Sequence, residues 1–435
     1  MNIDDILEIK KNNLPLSKED IDFIVLSYNM GKINDAKIMD FMRLIQVDNF
    51  SYEETYYLAD ALARTGEMWD LSSKQGLVVD KISIGSFSDA TTLIFMSILA
   101  SLGVKNIKLL SKKYGNFNNS LDRFNLFKGF NAKISEAEFL NKLNELSAGL
   151  YEDENKIAPA DARIYALSKK YGITSIPLTA ASILARRFAM GANVLVFDVK
   201  TGEGAMFESE EYATTLGKYL VETAKLAGVN AVSLITNLDE PLGSSIGVRA
   251  EVEEVLMSLR SDKSIYGSKL LEVARELVIV ALMTAGVTDS RLMAGKMFDE
   301  AIESGKALDK FKEIITSYGG EYLDFKHTPD KLLDGVTVSY ICAKEDGYVN
   351  NIIISNIINS YVKLSSGGNR KKDENAGIVL LVSEGDKIEK QTKLARVFYN
   401  IDNTKFTQTI SDIRNSIKIN QTKPQTTRTV YKVIV

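Results

Sequence analysis

The sequence predicts an α/β domain separated by a cleft from a small all-α domain, followed by a β-rich α+β domain. Three observations carry this. Apolar residues recur at helical spacing through residues 1–65, short apolar strands alternate with helices from about Gly76, and strand patterns dominate beyond about residue 335. A chain of 435 residues has room for two or three such domains. The expected division is 1–65 helical, joined by 158–192; 70–157 and 193–335 α/β; and 336–435 β-rich.

The helical start shows Ile3, Ile6 and Leu7, then Ile21, Ile24 and Val25, then Ile38, Phe41, Met42 and Ile45. Ser17 and Ser51 stand as N-caps ahead of Asp20 and Glu54. Leu77–Asp80 predicts the first strand. The Gly/Ser cluster Ser83 to Ser88 predicts a turn, and Thr91 onward a helix. A strand, a small-residue loop and a helix N-terminus can bind an anion, because unpaired N–H groups and the helix dipole point at the loop. Lys81 adds a charge there, and Ser83 and Thr92 add hydroxyls. An ordinary strand-to-helix turn with a surface lysine gives the same pattern. Strands follow at Asn106–Leu110, Asn193–Asp198 and Asn230–Thr236, and helices at Glu136–Ser147, Ala213–Ala227 and Glu251–Leu259. Residues 158–192 form a helical excursion able to rejoin the N-terminal bundle, and a chain crossing twice between two domains leaves a cleft that ligands prefer. Thr337–Ile341, Tyr348–Ile354, Ile378–Leu381 and Leu394–Tyr399 read as the C-terminal strands. The basic run Ser365 to Lys372 reads as a solvated loop or a phosphate grip.

Composition narrows the function. A net charge of −4 shows no nucleic-acid footprint. Cys342 is the one cysteine and His327 the one histidine, which excludes an internal disulfide, a cysteine-based zinc site and a multi-histidine metal centre, and fits a cytoplasmic protein. His327, before Thr328 and Pro329, reads as a surface loop residue. The apolar runs Leu93–Val104 and Leu277–Val287 are too short for a membrane span of about 20 residues and read as core helices.

The order of several separated segments resembles the pyrimidine-nucleoside phosphorylase and thymidine phosphorylase family. The segments are Leu16 to Ile21 with Asn29 to Asp35, Val79-Asp80-Lys81 with Ser83 and Gly85, Ala158 to Asp161, Ser175 to Arg187, Phe197 to Phe207, Pro241-Leu242-Gly243, Ile246-Gly247, and Glu384 to Ile388. The resemblance spans nearly the whole chain. It implies reversible phosphorolysis of a pyrimidine nucleoside to free base and pentose 1-phosphate, with inorganic phosphate as co-substrate and a homodimer formed through the helical domain. It also implies a phosphate cradle of Lys81, Ser83, Thr92, Lys108 and Ser120, and a base site of Ser168, Ser182 and Arg186. A monovalent cation, potassium, would sit at Ser88, Ala90, Leu242, Ser245 and Glu254.

The chain departs from the family at telling places. Ile82 stands where the family has a histidine, and Ser168 where it has an arginine aimed at the base. Arg186 replaces a lysine, with a planar head and more donors. Leu110 to Arg123 stands where the family has a glycine-rich segment, with most glycines replaced by Lys, Asn and Tyr, and places Tyr114 and Phe117 near the expected site. Losing one well-placed donor costs about 3–4 kcal/mol of transition-state stabilisation, so the resemblance implies altered or weakened activity. Two alternatives stand beside it. One is a non-catalytic paralogue that binds nucleoside or phosphate or serves as a partner subunit. The other is a transferase resembling the anthranilate phosphoribosyltransferases, for which the sequence shows no acidic cluster to hold a metal–pyrophosphate group.

Overall fold

Serine caps and buried apolar stripes build the opening bundle. In the computed structural model, which describes residues 2–48, 50–71, 75–87, 90–111, 119–207, 209–260, 268–322, 336–366, 373–400, 406–425 and 427–435, the first helices are α1 (Ile3–Lys11), α2 (Lys18–Asn29), α3 (Asp35–Asp48) and α4 (Tyr52–Ala63). Ser17 and Ser51 each close a capping box, with Asp20 and Glu54 as the returning carboxylates. Glu54 also accepts from Lys10 Nζ at 2.9 Å, tying α4 to α1. Ile21, Ile24, Ile38, Phe41 and Ile45 are buried, so the periodic stripe is the core face.

The α/β part follows as β1 (Val79–Ile84), α5 (Thr91–Ser101), β2 (Asn106–Leu110), α6 (Ser120–Asn125), α7 (Glu136–Leu146) and β3 (Ala148–Glu152). The chain then returns to the bundle as α8 (Pro159–Tyr171) and α9 (Ile176–Met190), and α9 packs on α4. It re-enters the sheet with β4 (Val194–Thr201), α10 (Glu210–Leu226) and β5 (Asn230–Asn237). Next come β6 (Ser245–Ile246), α11 (Val248–Leu259), α12 (Ser268–Thr284), α13 (Arg291–Glu303) and α14 (Lys306–Ser317).

The C-terminal part consists of β7 (Val336–Cys342), β8 (Gly347–Ile352), α15 (Ile354–Ser365), β9 (Gly377–Leu380), β10 (Lys387–Ile388), β11 (Lys393–Asn400), α16 (Phe406–Ser416), β12 (Ile417–Asn420) and β13 (Val430–Ile434). Its own small sheets run β10-β8-β12 and β6-β9-β11-β7.

The main sheet has the order β13-β5-β4-β1-β2-β3, with β13 antiparallel to β5 and the other pairs parallel. From β1 the connections run outward through β2 to β3, then restart on the other side at β4 and β5. The direction therefore reverses between β1 and β4, where an open α/β sheet leaves a crevice at its carboxyl ends.

Three expectations change. The first strand does not stop at Asp80, because Ile82 and Ile84 carry it to six consecutive pairs with β4, from Val79 beside Val194 to Ile84 beside Val199. Lys81 and Ser83 therefore lie on the strand, and the turn begins at Gly85, whose φ of +79° suits glycine. The region 336–435 is not self-contained, since β13 leaves it to extend the main sheet and β6 joins it from 245–246. Tyr348–Ile354 divides into a strand ending at Ile352 and a helix beginning at Ile354.

Candidate active site

Side chains alternate across β1, so Lys81 and Ser83 face one side while Asp80, Ile82 and Ile84 face the other. On the first side the Lys81 ammonium, 2% exposed, donates to Ser83 Oγ, to Thr91 Oγ1 at 2.8 Å and to Thr92 Oγ1 at 3.1 Å. Thr91 and Thr92 open α5, so the lysine joins the end of β1 to the head of the helix that follows it. Lys108 on β2 donates to the Lys81 carbonyl at 3.3 Å.

Across the switch point, β4 contributes Asp198 and Lys200, two apart and hence on one face. Asp198 accepts from Thr236 Oγ1 at 2.7 Å and from Ser83 Oγ at 3.3 Å. It stands 2.8 Å from Lys200 Nζ and 3.6 Å from Lys81 Nζ. Burial alone would push this carboxyl up, but Lys200 and Lys81 outweigh burial and hold it below its usual value. Lys81, Lys200, the hydroxyls of Ser83, Thr91, Thr92 and Thr236, and the Asp198 carboxylate thus form one network at the sheet's carboxyl end. Such a set can orient an anion and neutralise its charge.

Of the five residues expected to hold phosphate, Lys81, Ser83 and Thr92 share this network and Lys108 touches its backbone. Ser120 is buried at the first position of α6 and makes no hydrogen bond to the other four among the described residues. Thr91, Asp198, Lys200 and Thr236 belong to the network and lie outside the set that the sequence points to. The signal for the β4 pair is two charged residues spaced by two inside an apolar strand, a pattern a buried strand tolerates only where those charges meet partners.

The other face of β1 carries Asp80 followed by the apolar Ile82 and Ile84. Ile82 is buried in the cluster that includes Ile84, Leu184 and Ala185, so this side chain serves core packing. On α8 the Ser168 hydroxyl donates to the Tyr165 carbonyl at 2.9 Å. On α9, Ser182 and Arg186 are four apart on one face. Arg186 donates through Nε and Nη2 to Asp161 Oδ2 at 3.1 and 2.9 Å, which fixes its guanidinium against α8. The next residue, Arg187, reaches back to the sheet and donates from Nη1 to Asp80 Oδ2 at 2.7 Å.

Four of the five positions expected to hold a cation come together. Ala90, Leu242, Ser245 and Glu254 line a cleft of about 40 Å³ beside Phe87 and Pro241. Glu254 accepts from Ser244 N at 2.8 Å and Ser245 N at 3.0 Å. Burial pushes its carboxyl up to about 7. Ser88, His327, Tyr114, Phe117, the other positions of 112–118 and the 367–372 part of the basic run lie outside the described residues. A groove of about 620 Å³ lies apart from the Lys81 network, along β13 and α12. Within it Glu240 pairs with Lys269 and Glu276 with Arg291. Among the described residues no group of three or more His, Cys, Asp or Glu is placed to hold a metal ion, and no helix is long and apolar enough to cross a membrane.

The sheet order and its flanking helices define an α/β fold shared with an anthranilate phosphoribosyltransferase from Thermus thermophilus. That structure has a TM-score of 0.59 and 12% identity, over 72% of this chain and 98% of that one. No family model matches the sequence. Whole-length comparison does place it. The chain is 31% identical to the pyrimidine-nucleoside phosphorylase of Staphylococcus epidermidis RP62A over 100% of both chains, and 31% identical to that of Bacillus subtilis 168 over 96% of both. It is 32% identical to that of Staphylococcus aureus COL over 92% of both. The chain belongs to the pyrimidine-nucleoside phosphorylase family.

Proposed function

We propose that the chain catalyses reversible phosphorolysis of pyrimidine nucleosides. The observation that carries this is the Lys81 ammonium ringed by Ser83, Thr91 and Thr92 at the head of α5, in a chain akin to phosphorylases along its full length. In the reaction a phosphate oxygen bonds to C1′ as the C1′–N bond breaks, and the electron pair leaves with the base. Lys81, Ser83, Thr92 and Lys108 serve to orient phosphate, and Ser120 closes that cradle from α6. Ser182 and Arg186 serve the base. Positioning and charge stabilisation supply the rate, without a covalent protein intermediate.

The test is release of free base from uridine, deoxyuridine and thymidine with phosphate. Release above the blank, cut about 10²–10³-fold in Lys81→Ala, is the expected result. No release, with Lys81→Ala indistinguishable from wild type, sinks the proposal. A second reading, a nucleoside- or phosphate-binding paralogue without turnover, is favoured by the buried Ile82 and by the Ser168 hydroxyl bonding to its own helix. Calorimetric binding of phosphate and uridine with no base released would select it.

We also propose a monovalent cation beside Glu254. A buried carboxylate that forms no ion pair with a described Lys or Arg, facing a small cleft with the Ser245 hydroxyl, suits potassium. Without a cation, Glu254 favours the fold fully below its ordinary 4.5, and the contribution is lost as the pH rises to about 7. Potassium should therefore raise the melting temperature more at pH 8 than at pH 5, and Glu254→Gln should abolish the difference. Equal shifts in both proteins argue against the site.

A further inference from the structure

The Asp80–Arg187 pair bridges the two halves of the proposed site. Asp80 precedes Lys81 on β1, and Arg187 follows Arg186 on α9, so one bond joins the anion strand to the base helix. Both residues are buried, Asp80 completely. The bond is single: Asp80 Oδ1 and Arg187 Nε have no hydrogen-bond partner among the described residues. Arginine and carboxylate ordinarily pair through two parallel bonds, and leaving a donor and an acceptor of one pair unmet inside the protein is costly.

The pair also lies where the chain crosses between bundle and sheet. Glu67 N donates to Lys156 O at 2.9 Å, Trp69 N to Ala189 O at 2.6 Å and Asn193 N to Val78 O at 3.2 Å, so the crossing segments run side by side, the last two bonds ending two residues from Arg187 and from Asp80. Rotation about such an axis moves nearby groups little. The bond can survive the motion while its geometry changes.

We propose that Asp80 and Arg187 are a positioning pair coupling phosphate binding to base binding. The single bond belongs to the open form. When α9 swings toward the carboxyl ends of the strands, the guanidinium turns side-on, and Nε with one Nη faces both carboxylate oxygens. Both unmet atoms are then satisfied together. This rests on the phosphorolysis reading, since it takes α9 to carry the base and β1 the phosphate.

The test uses the whole chain with inorganic phosphate and uracil, which cannot react without a pentose. Calorimetry should show uracil tightening phosphate about tenfold in wild type and less than about threefold in Arg187→Lys, which keeps the charge but has no fork. Phosphate alone should bind both alike. In wild type, the Arg187 Nε–H should exchange more slowly with solvent when both ligands are present, a readout independent of how well the variant folds. Unchanged exchange, or equal coupling in the two proteins, overturns the pair's role. Base release from uridine in that case leaves the functional reading standing. A wild type that binds no phosphate and releases no base overturns both.

Discussion

A buried lysine is tolerated only where its surroundings replace water, and Lys81 shows how three hydroxyls and a carboxylate do so. Asp198 is the centre of that arrangement, because it faces both Lys81 and Lys200 and accepts from Ser83 and Thr236. Removing its charge leaves two buried ammonium groups without it, a change that typically costs about 3–5 kcal/mol. Its carboxyl is held below the ordinary value of 3.8, so the stabilisation is present above that value and lost as the pH falls through the lower, folded one. Asp198→Asn should therefore be much less stable than wild type at pH 7, with the gap closing in acid. A gap independent of pH would show that the charge is not what stabilises. In the sequence, Lys81, Ser83 and Thr92 are legible because they crowd one stretch. Asp198 and Thr236 are not, since their meaning depends on strands more than thirty residues apart in sequence lying side by side.

Among the elements, α9 does the most to relate the two halves. It packs on α4, holds Asp161 through Arg186 and reaches Asp80 through Arg187. It ends at Gly191 with φ of +74°, where an added Cβ would come within 2.3 Å of the Trp69 carbonyl oxygen. Gly191→Ala should cost about 1–3 kcal/mol from backbone strain alone, with more from that clash. The urea midpoint should fall with its slope unchanged, and an unchanged midpoint would mean the crossing segments yield freely. Strand β2 is legible to the residue because apolar side chains frame it between a glycine-closed helix and a polar loop. Strand β1 is not, because a lysine and a serine inside it mimic the start of a turn. Strand β3, Ala148–Glu152, escapes notice because it opens on Ala148 and Gly149 and holds no β-branched residue.

For the whole molecule, architecture follows from the alternation of periods along the chain, and the switch point between β1 and β4 places the polar network. The return of the chain to the sheet as β13 is hidden in the sequence, because Val430 to Ile434 is an amphipathic stretch after a polar tail. It pairs with β5, while Thr429 Oγ1 donates to Glu272 at 2.9 Å and Tyr431 OH to Asp239 at 3.2 Å. Deleting 429–435 exposes the edge of β5 and should cost about 2–4 kcal/mol of burial, with faster amide exchange in 230–237. Unaltered exchange there would mean the strand contributes little.

That last strand ties the far end of the C-terminal unit back into the main sheet. A protease nick inside it would not liberate it: the severed tail, still woven beside β5, should travel with the remainder through gel filtration and part only in denaturant.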